Sequence, residues 1–307
     1  MKEYASDYKR PRKGSTISAR SYQVDILLEK YLLKQKNYLI HAISADVLQS
    51  AFNAMLDSGL SYNYIKALRA LVGGIFKYAK AKGYIAHTDA YDSTYVPQKL
   101  LTVADMADTA IPAYLEKDDL NRVLGIMKPD HARLFEVQAY TGMRISEVLA
   151  LEENDLDGST LSIRGTYDSS NRSATKGEKT PPKTLASYRS IVVSDRIKAI
   201  IEEQINVNQL IKYKGNSYIF VNSRGNPYDV NALNRELRII KETLQLQTKL
   251  TTHTFRHTHI SMLAENNVPL HLIMQRVGHS DQKVTEKIYL HVTRKMKTDL
   301  ADILEKM

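Results

Sequence analysis

Residues 97–113 interrupt the chain: Pro97 and Pro112 flank short polar stretches, and the hydrophobic pattern differs on the two sides. From Ser15 to about Tyr95 apolar residues recur at helical spacing, in S-A-R-S-Y-Q-V-D-I-L-L-E-K-Y-L-L, S-A-D-V-L-Q-S-A-F-N-A-M-L and S-Y-N-Y-I-K-A-L-R-A-L-V-G-G-I-F-K-Y-A. Ser44 and Ser61 precede two of these runs as N-caps, a position where a hydroxyl can accept from an otherwise orphaned amide. The pattern predicts about four short helices in a compact all-α module over residues 15–98, then a linker over 99–113. A second domain, 114–307, starts with the amphipathic A-Y-L-E-K-D-D-L-N-R-V-L. L-F-E-V-Q-A-Y then reads as a helix stopped by Thr141-Gly142. L-S-I-R-G-T-Y, R-S-I-V-V-S and G-N-S-Y-I-F-V-N-S-R-G-N read as strands, from β-branched content and bounding turn residues. The fold class expected is mainly α with a small antiparallel sheet (α+β).

Lysine plus arginine exceed aspartate plus glutamate by 43 to 34, a net +9 that favours a polyanionic partner. Lys9, Arg10, Arg12 and Lys13 crowd a polar segment, residues 1–14, with no apolar face. It reads as a basic arm able to lie along a DNA backbone, or equally as a solvated tail. The absence of cysteine excludes disulfides and thiolate-bound zinc. No apolar run reaches the ~18–20 residues of a membrane span, and the polar N-terminus lacks the apolar core of a secretory signal. A soluble, cytoplasmic protein without membrane contact is expected.

The chemistry concentrates between Thr252 and His291. T-H-T-F-R-H-T-H sets His253 and Arg256 three residues apart, on one face of a helix. V-G-H-S-D-Q-K-V-T-E-K-I-Y-L-H-V adds His279 after a glycine and Tyr289 in a short apolar segment. Upstream, T-G-M-R-I-S-E places Arg144 just past Gly142. Arginine suits a phosphate clamp because its planar fork donates two hydrogen bonds and keeps its charge. A tyrosine hydroxyl, with a pKa near ~10, attacks only when its proton is taken or its anion stabilised. These residues describe a pocket that holds one phosphate beside a tyrosine. A metal reading of His257, His259 and His291 is disfavoured, since Arg256 would repel a cation and no carboxylate or cysteine completes the set.

T-G-M-R-I-S-E-V-L-A-L, H-T-F-R-H-T and V-G-H-S, with Tyr289 ten residues after His279, resemble the signature boxes of the tyrosine recombinases, the phage integrase family. P-P-K-T-L-A-S-Y-R-S-I-V-V is similar to that family's β-hairpin bearing a catalytic lysine. The likeness is strong over 114–307 and weak over 15–98, and its hairpin looks closest to integrases of temperate phages and conjugative transposons of Gram-positive bacteria. It implies a helical SAM-like core-binding domain and a catalytic domain that together clamp duplex DNA. It further implies cutting and rejoining through a 3′-phosphotyrosyl intermediate, without metal, ATP or other cofactor. The implied catalytic set is Arg144, Lys183, His253, Arg256, His279 and the nucleophile Tyr289, with Glu147 orienting an arginine or histidine. Lys183 would protonate the leaving 5′ oxygen, while Lys176 and Lys179, in the same polar hairpin, are expected to meet the DNA backbone.

The implied partners are double-stranded attachment sites, a homotetramer on DNA with a Holliday-junction intermediate, and an excisionase or host DNA-bending protein, in the bacterial cytoplasm near the nucleoid. The chain starts almost at the core-binding module, so the arm-type domain that such integrases often carry is expected to be missing. The C-terminal helix, 294–307, carries Met296, Leu300, Ile303, Leu304 and Met307 as an apolar stripe, for its own domain or for a neighbouring subunit. Two alternatives stand beside this reading: a type IB topoisomerase-like nicking and resealing enzyme, and a non-catalytic DNA-binding regulator.

Overall fold

The computed structural model describes residues 4, 22–26, 30–31, 39–96, 113–168, 177–181, 188–211, 217–278 and 282–305. The chain divides into two compact units, residues 1–102 and 103–307. Among the described residues no helix is long and apolar enough to cross a membrane.

In the first unit α1 (Ala45–Asp57) and α2 (Tyr62–Ala81) begin as expected: Ser44 Oγ accepts from Val47 N, and Ser61 Oγ from Tyr64 N, each at 3.3 Å. Their apolar faces meet in one core that includes Leu48, Phe52, Met55, Ile65, Leu68, Leu71 and Phe76. The short α3 (Asp89–Asp92) closes on α2, and Tyr91 lies so near Gly73 that a Cβ there would come within 2.5 Å of its ring.

The second unit opens with α4 (Lys117–Gly125), α5 (Pro129–Thr141) and the single turn α6 (Ile145–Val148). Gly142 ends α5 with φ +68°, and a Cβ there would also strike the ring of His259, so glycine is required twice over. The small sheets follow: β1 (Leu156–Asp157), β2 (Thr160–Ile163) and β5 (Arg189–Val192) in the order β1–β2–β5, and a separate pair, β3 (Thr166–Asp168) with β4 (Glu178–Thr180), all antiparallel. In β5 the alternation turns Arg189 and the buried Ile191 to one face. The helices α7 (Asp195–Ile211), α8 (Val230–Thr243), α9 (Thr252–Glu265), α10 (Leu270–Val277) and α11 (Gln282–Glu305) complete the unit.

Two strand expectations need correction. L-S-I-R-G-T-Y is not one strand: it breaks at Arg164-Gly165 and passes from one sheet to the other, with the Lys179 side chain lying over Gly165 where a Cβ would stand. Among the described residues of G-N-S-Y-I-F-V-N-S-R-G-N only isolated bridges form, Glu152 with Tyr218 and Val221 with Pro227. Its backbone groups go elsewhere: Ile219 N donates to Leu151 O, and the Asn208 amide donates to Ile219 O at 2.7 Å. Ile219 and Phe220 are fully buried, which explains why the stretch reads as a strand.

α9 packs against both α5 and α11 and is buried on nearly every side. Phe255 stacks on Phe135 of α5 at 4.4 Å between ring centroids, a pair adding about 0.5–1.5 kcal/mol beyond area burial. A helix so enclosed must pair its polar side chains. Thr258 does so by donating to Thr254 O and accepting from Leu115 N, both at 2.9 Å. A second cluster, around Ile260, Ile273, Val277, Ile288 and Val292, ties α9, α10 and α11 together, with Tyr289 and Met296 packed at its edge.

Candidate active site

Arg144 occupies the N-cap of α6, and the turn is closed reciprocally: Arg144 N donates to Glu147 Oε2 and Glu147 N to Arg144 O, each at 2.9 Å. Glu147 Oε1 accepts from Arg144 Nη1, also at 2.9 Å. The Glu147 carboxylate is buried, and a second guanidinium reaches it: Arg189 donates from Nη1 to Oε1 at 3.2 Å and from Nη2 to Oε2 at 2.8 Å. Burial pushes this carboxyl up, but the hydrogen bonds and charge of Arg189, and then of Arg144, outweigh it and hold Glu147 below the usual carboxylate range.

Arg256 lies on α9 and is the largest fully buried side chain among the described residues, 1% exposed. Its Nη1 donates at 2.8 Å to the carbonyl of Gly142, two residues before Arg144. The α5–α6 turn is therefore where both arginines are fixed. His253 stands one helical turn earlier on α9 but at a different depth, exposed to solvent, with its ring stacked 6.4 Å from that of His257. A cavity of about 560 Å³ opens there, its lining including His253, His257, Lys249, Thr251, Asn234 and Ile145. Ile145 follows Arg144, so this hollow touches both the arginine turn and the start of α9.

Tyr289 is half-buried on α11, its ring against the cluster that also holds Ile260 and Val277. α10 ends at Gly278, whose φ of +83° only glycine adopts readily, and this turn leads into His279. His279 and Lys183 lie outside the described residues, as do Lys9, Arg10, Arg12, Lys13 and Lys176. Lys179 is held by two carboxylates, Glu152 at 2.6 Å and Asp155 at 3.0 Å. Burial pulls its pKa down, and those two partners more than reverse the effect.

Three residues of this network carry no role in the sequence reading. Arg189 stood there only as part of a pattern, although an arginine sharing a strand face with a buried isoleucine signals a buried partner. Its Nε also donates to Arg276 O at 2.7 Å. Arg276 in turn donates from Nε to His259 Nε2 at 3.0 Å and from Nη1 to Val192 O at 3.0 Å. His259, set aside as a bystander, is buried against Arg276, its Nδ1 3.0 Å from Ala139 O.

The phage integrase family model matches residues 113–296. The chain is 34% identical over 291 residues to the integrase of Staphylococcus phage L54a, covering 89% of this chain and 82% of that one. It is 34% identical over 319 residues to the "Prophage ps2 probable integrase" of Lactococcus lactis subsp. lactis, covering 99% and 81%. Among solved structures, the Tn1549 transposon integrase in complex with transposon right-end DNA superposes with a TM-score of 0.71 over 97% of this chain and 98% of that one. At 18% identity that likeness is one of fold.

Proposed function

The chain belongs to the phage integrase family and is a tyrosine site-specific recombinase, and from that premise we propose how its residues divide the work on double-stranded DNA. Attack on a phosphodiester builds charge on the non-bridging oxygens, and Arg144 with Arg256 neutralises it there. Tyr289 attacks phosphorus, forming a 3′-phosphotyrosyl bond and releasing a 5′ hydroxyl. Lys183 gives the leaving oxygen its proton, His253 accepts the tyrosine proton or bonds the phosphate, and His279 donates a further hydrogen bond. The new ester keeps the phosphodiester's energy, so a 5′ hydroxyl of another strand reverses the step without ATP.

The observation carrying this reading is that two guanidiniums are pinned at one turn, Arg256 on Gly142 O and Arg144 on Glu147. Donors fixed before the charge develops need no reorganisation when it does, which is the condition for strong electrostatic catalysis.

In this proposal the helical unit over 15–98 grips the DNA core site, four copies assemble on two sites, and strands exchange in pairs through a Holliday junction. The apolar tail of α11 docks on a neighbouring copy, and an excisionase or host bending protein sets direction. Covalent capture tests the chemistry. The protein is incubated with nicked duplexes of randomised core sequence, and adducts surviving denaturant are sequenced. Wild type should yield an adduct at Tyr289, and Tyr289→Phe should yield none while still binding duplex. Adducts from the phenylalanine variant at wild-type yield would refute the assignment.

A further inference from the structure

Glu147 offers two oxygens and each is shared between two arginines. Oε1 accepts from Arg144 Nη1 and Arg189 Nη1, and Oε2 from Arg144 N and Arg189 Nη2. Arg189 belongs to β5, the strand that follows the segment carrying Lys183, and its side chain is 8% exposed. Its Nε also caps Arg276 O, a carbonyl in the last turn of α10 that a helix leaves without an internal partner. One guanidinium thus touches two structural parts and belongs to a third, each leading into a group of the proposed chemistry: α6 with Arg144, the end of α10 before His279, and the strand after Lys183.

We infer that Arg189 is a positioning residue for the phosphate clamp, holding Glu147 so that Glu147 can hold Arg144. The inference rests on the recombinase reading above. A buried carboxylate gripped by a planar fork has its plane fixed, and the arginine on its other side inherits that orientation. Without Arg189, Arg144 would be the one cation left on Glu147 among the described residues, and burial would favour the protonated acid. A neutral carboxyl turns part of its acceptor capacity into a donor and cannot hold Arg144 through both oxygens. Arg144 would then lose the orientation that this carboxylate gives it, and a misplacement of about 1 Å is enough to cost about 100-fold in rate.

The test uses the full chain and the duplex that wild type captures from the randomised pool. Arg189→Gln should cleave about 100-fold more slowly in single turnover with an unchanged duplex Kd. It should also lose rate on acidification over a range where wild type does not, because Glu147, faced by Arg144 from its own helix and by Arg189 from β5, has lost one of the two cations that keep it ionised. Adding Glu147→Gln to that variant should remove the new acid limb. A loss of folded protein alone would scale the rate equally at every pH. Arg189→Lys, which keeps the charge but cannot make all three bonds, should remain slow without the acid limb. Cleavage by Arg189→Gln at the wild-type rate, or slowed without a new pH dependence, would overturn the inference. Should that variant fail to fold, a wild-type rate in Arg189→Lys would overturn it and a slow rate would support it. If wild type itself forms no adduct, the recombinase reading falls and this inference with it.

Discussion

Arg276 donates its Nε–H to Nε2 of His259, so the imidazole can carry its one proton only on Nδ1, where Ala139 O accepts it. Burial first, then the positive charge of Arg276, depress this histidine to a pKa of about 3. It serves as a neutral spacer: one nitrogen reads the last turn of α5, the other the last turn of α10, and the ring packs over Gly142.

This spacer should make the second unit acid-sensitive. The folded pKa lies below the unfolded value near 6.5, so the unfolded chain binds the extra proton. The stability is whole above that value and is lost as pH falls towards 3. Between about pH 7.5 and 5.5 the loss from this group should be about 1.4 kcal/mol. Urea unfolding at both pH values checks it, and His259→Asn, less stable at neutral pH, should show a flatter profile.

Arg256→Lys keeps a cation in the fully buried site but replaces a fork with a point charge. Single-turnover cleavage on captured duplex is expected to drop by at least about 100-fold. The melting temperature should fall too, because the bond to Gly142 O that fixes the α5–α6 turn is lost or bent. A rate within about tenfold of wild type would remove Arg256 from the clamp.

Lys179 was expected on the DNA backbone, and the two carboxylates around it give a different prediction. Asp155 is buried, so Lys179→Ala would leave it short of a partner and should cost about 1–3 kcal/mol of stability. Duplex affinity should change little. Weaker DNA binding at an unchanged melting temperature would return Lys179 to the phosphates.

Affinity for duplex should fall steeply between about 50 and 200 mM salt, since each neutralised phosphate releases condensed counterions. A flat salt profile would refute an electrostatic grip. On the proposed arginine clamp EDTA should leave cleavage unchanged; inhibition reversed by Mg²⁺ would point to a metal-dependent nuclease.

Local signals were legible in the sequence where they act locally. Ser44 and Ser61 cap the helices they precede, and Gly142 ends α5 in the left-handed region. Residues whose partners lie far along the chain were not. Glu147 is called on by Arg189, 42 positions away, and Arg276 joins Val192, 84 positions away. Spacing within one helix says nothing about such pairs. Depth was equally hidden: His253 and Arg256 share a face by periodicity, yet one is exposed and the other buried, because α9 is enclosed by its neighbours over most of its length. The G-N-S-Y-I-F-V-N-S-R-G-N stretch had strand-like content because Ile219, Phe220 and Val221 at its centre are buried, and burial alone does not supply a neighbouring strand.

α11 runs from Gln282 to Glu305 with neither glycine nor proline inside it, so nothing in its sequence invites a kink between Tyr289 and the tail. At 1.5 Å per residue, those sixteen positions make a strut of about 24 Å with the tyrosine near one end. A strut transmits what it receives. Slippage of that helix by one residue would turn the ring by about 100° about the axis. The Met296 contact and the Lys295–Glu116 ion pair at 2.8 Å sit between the two ends as a fulcrum. Whatever load the tail bears would therefore reach the segment carrying Tyr289 along one unbroken helix.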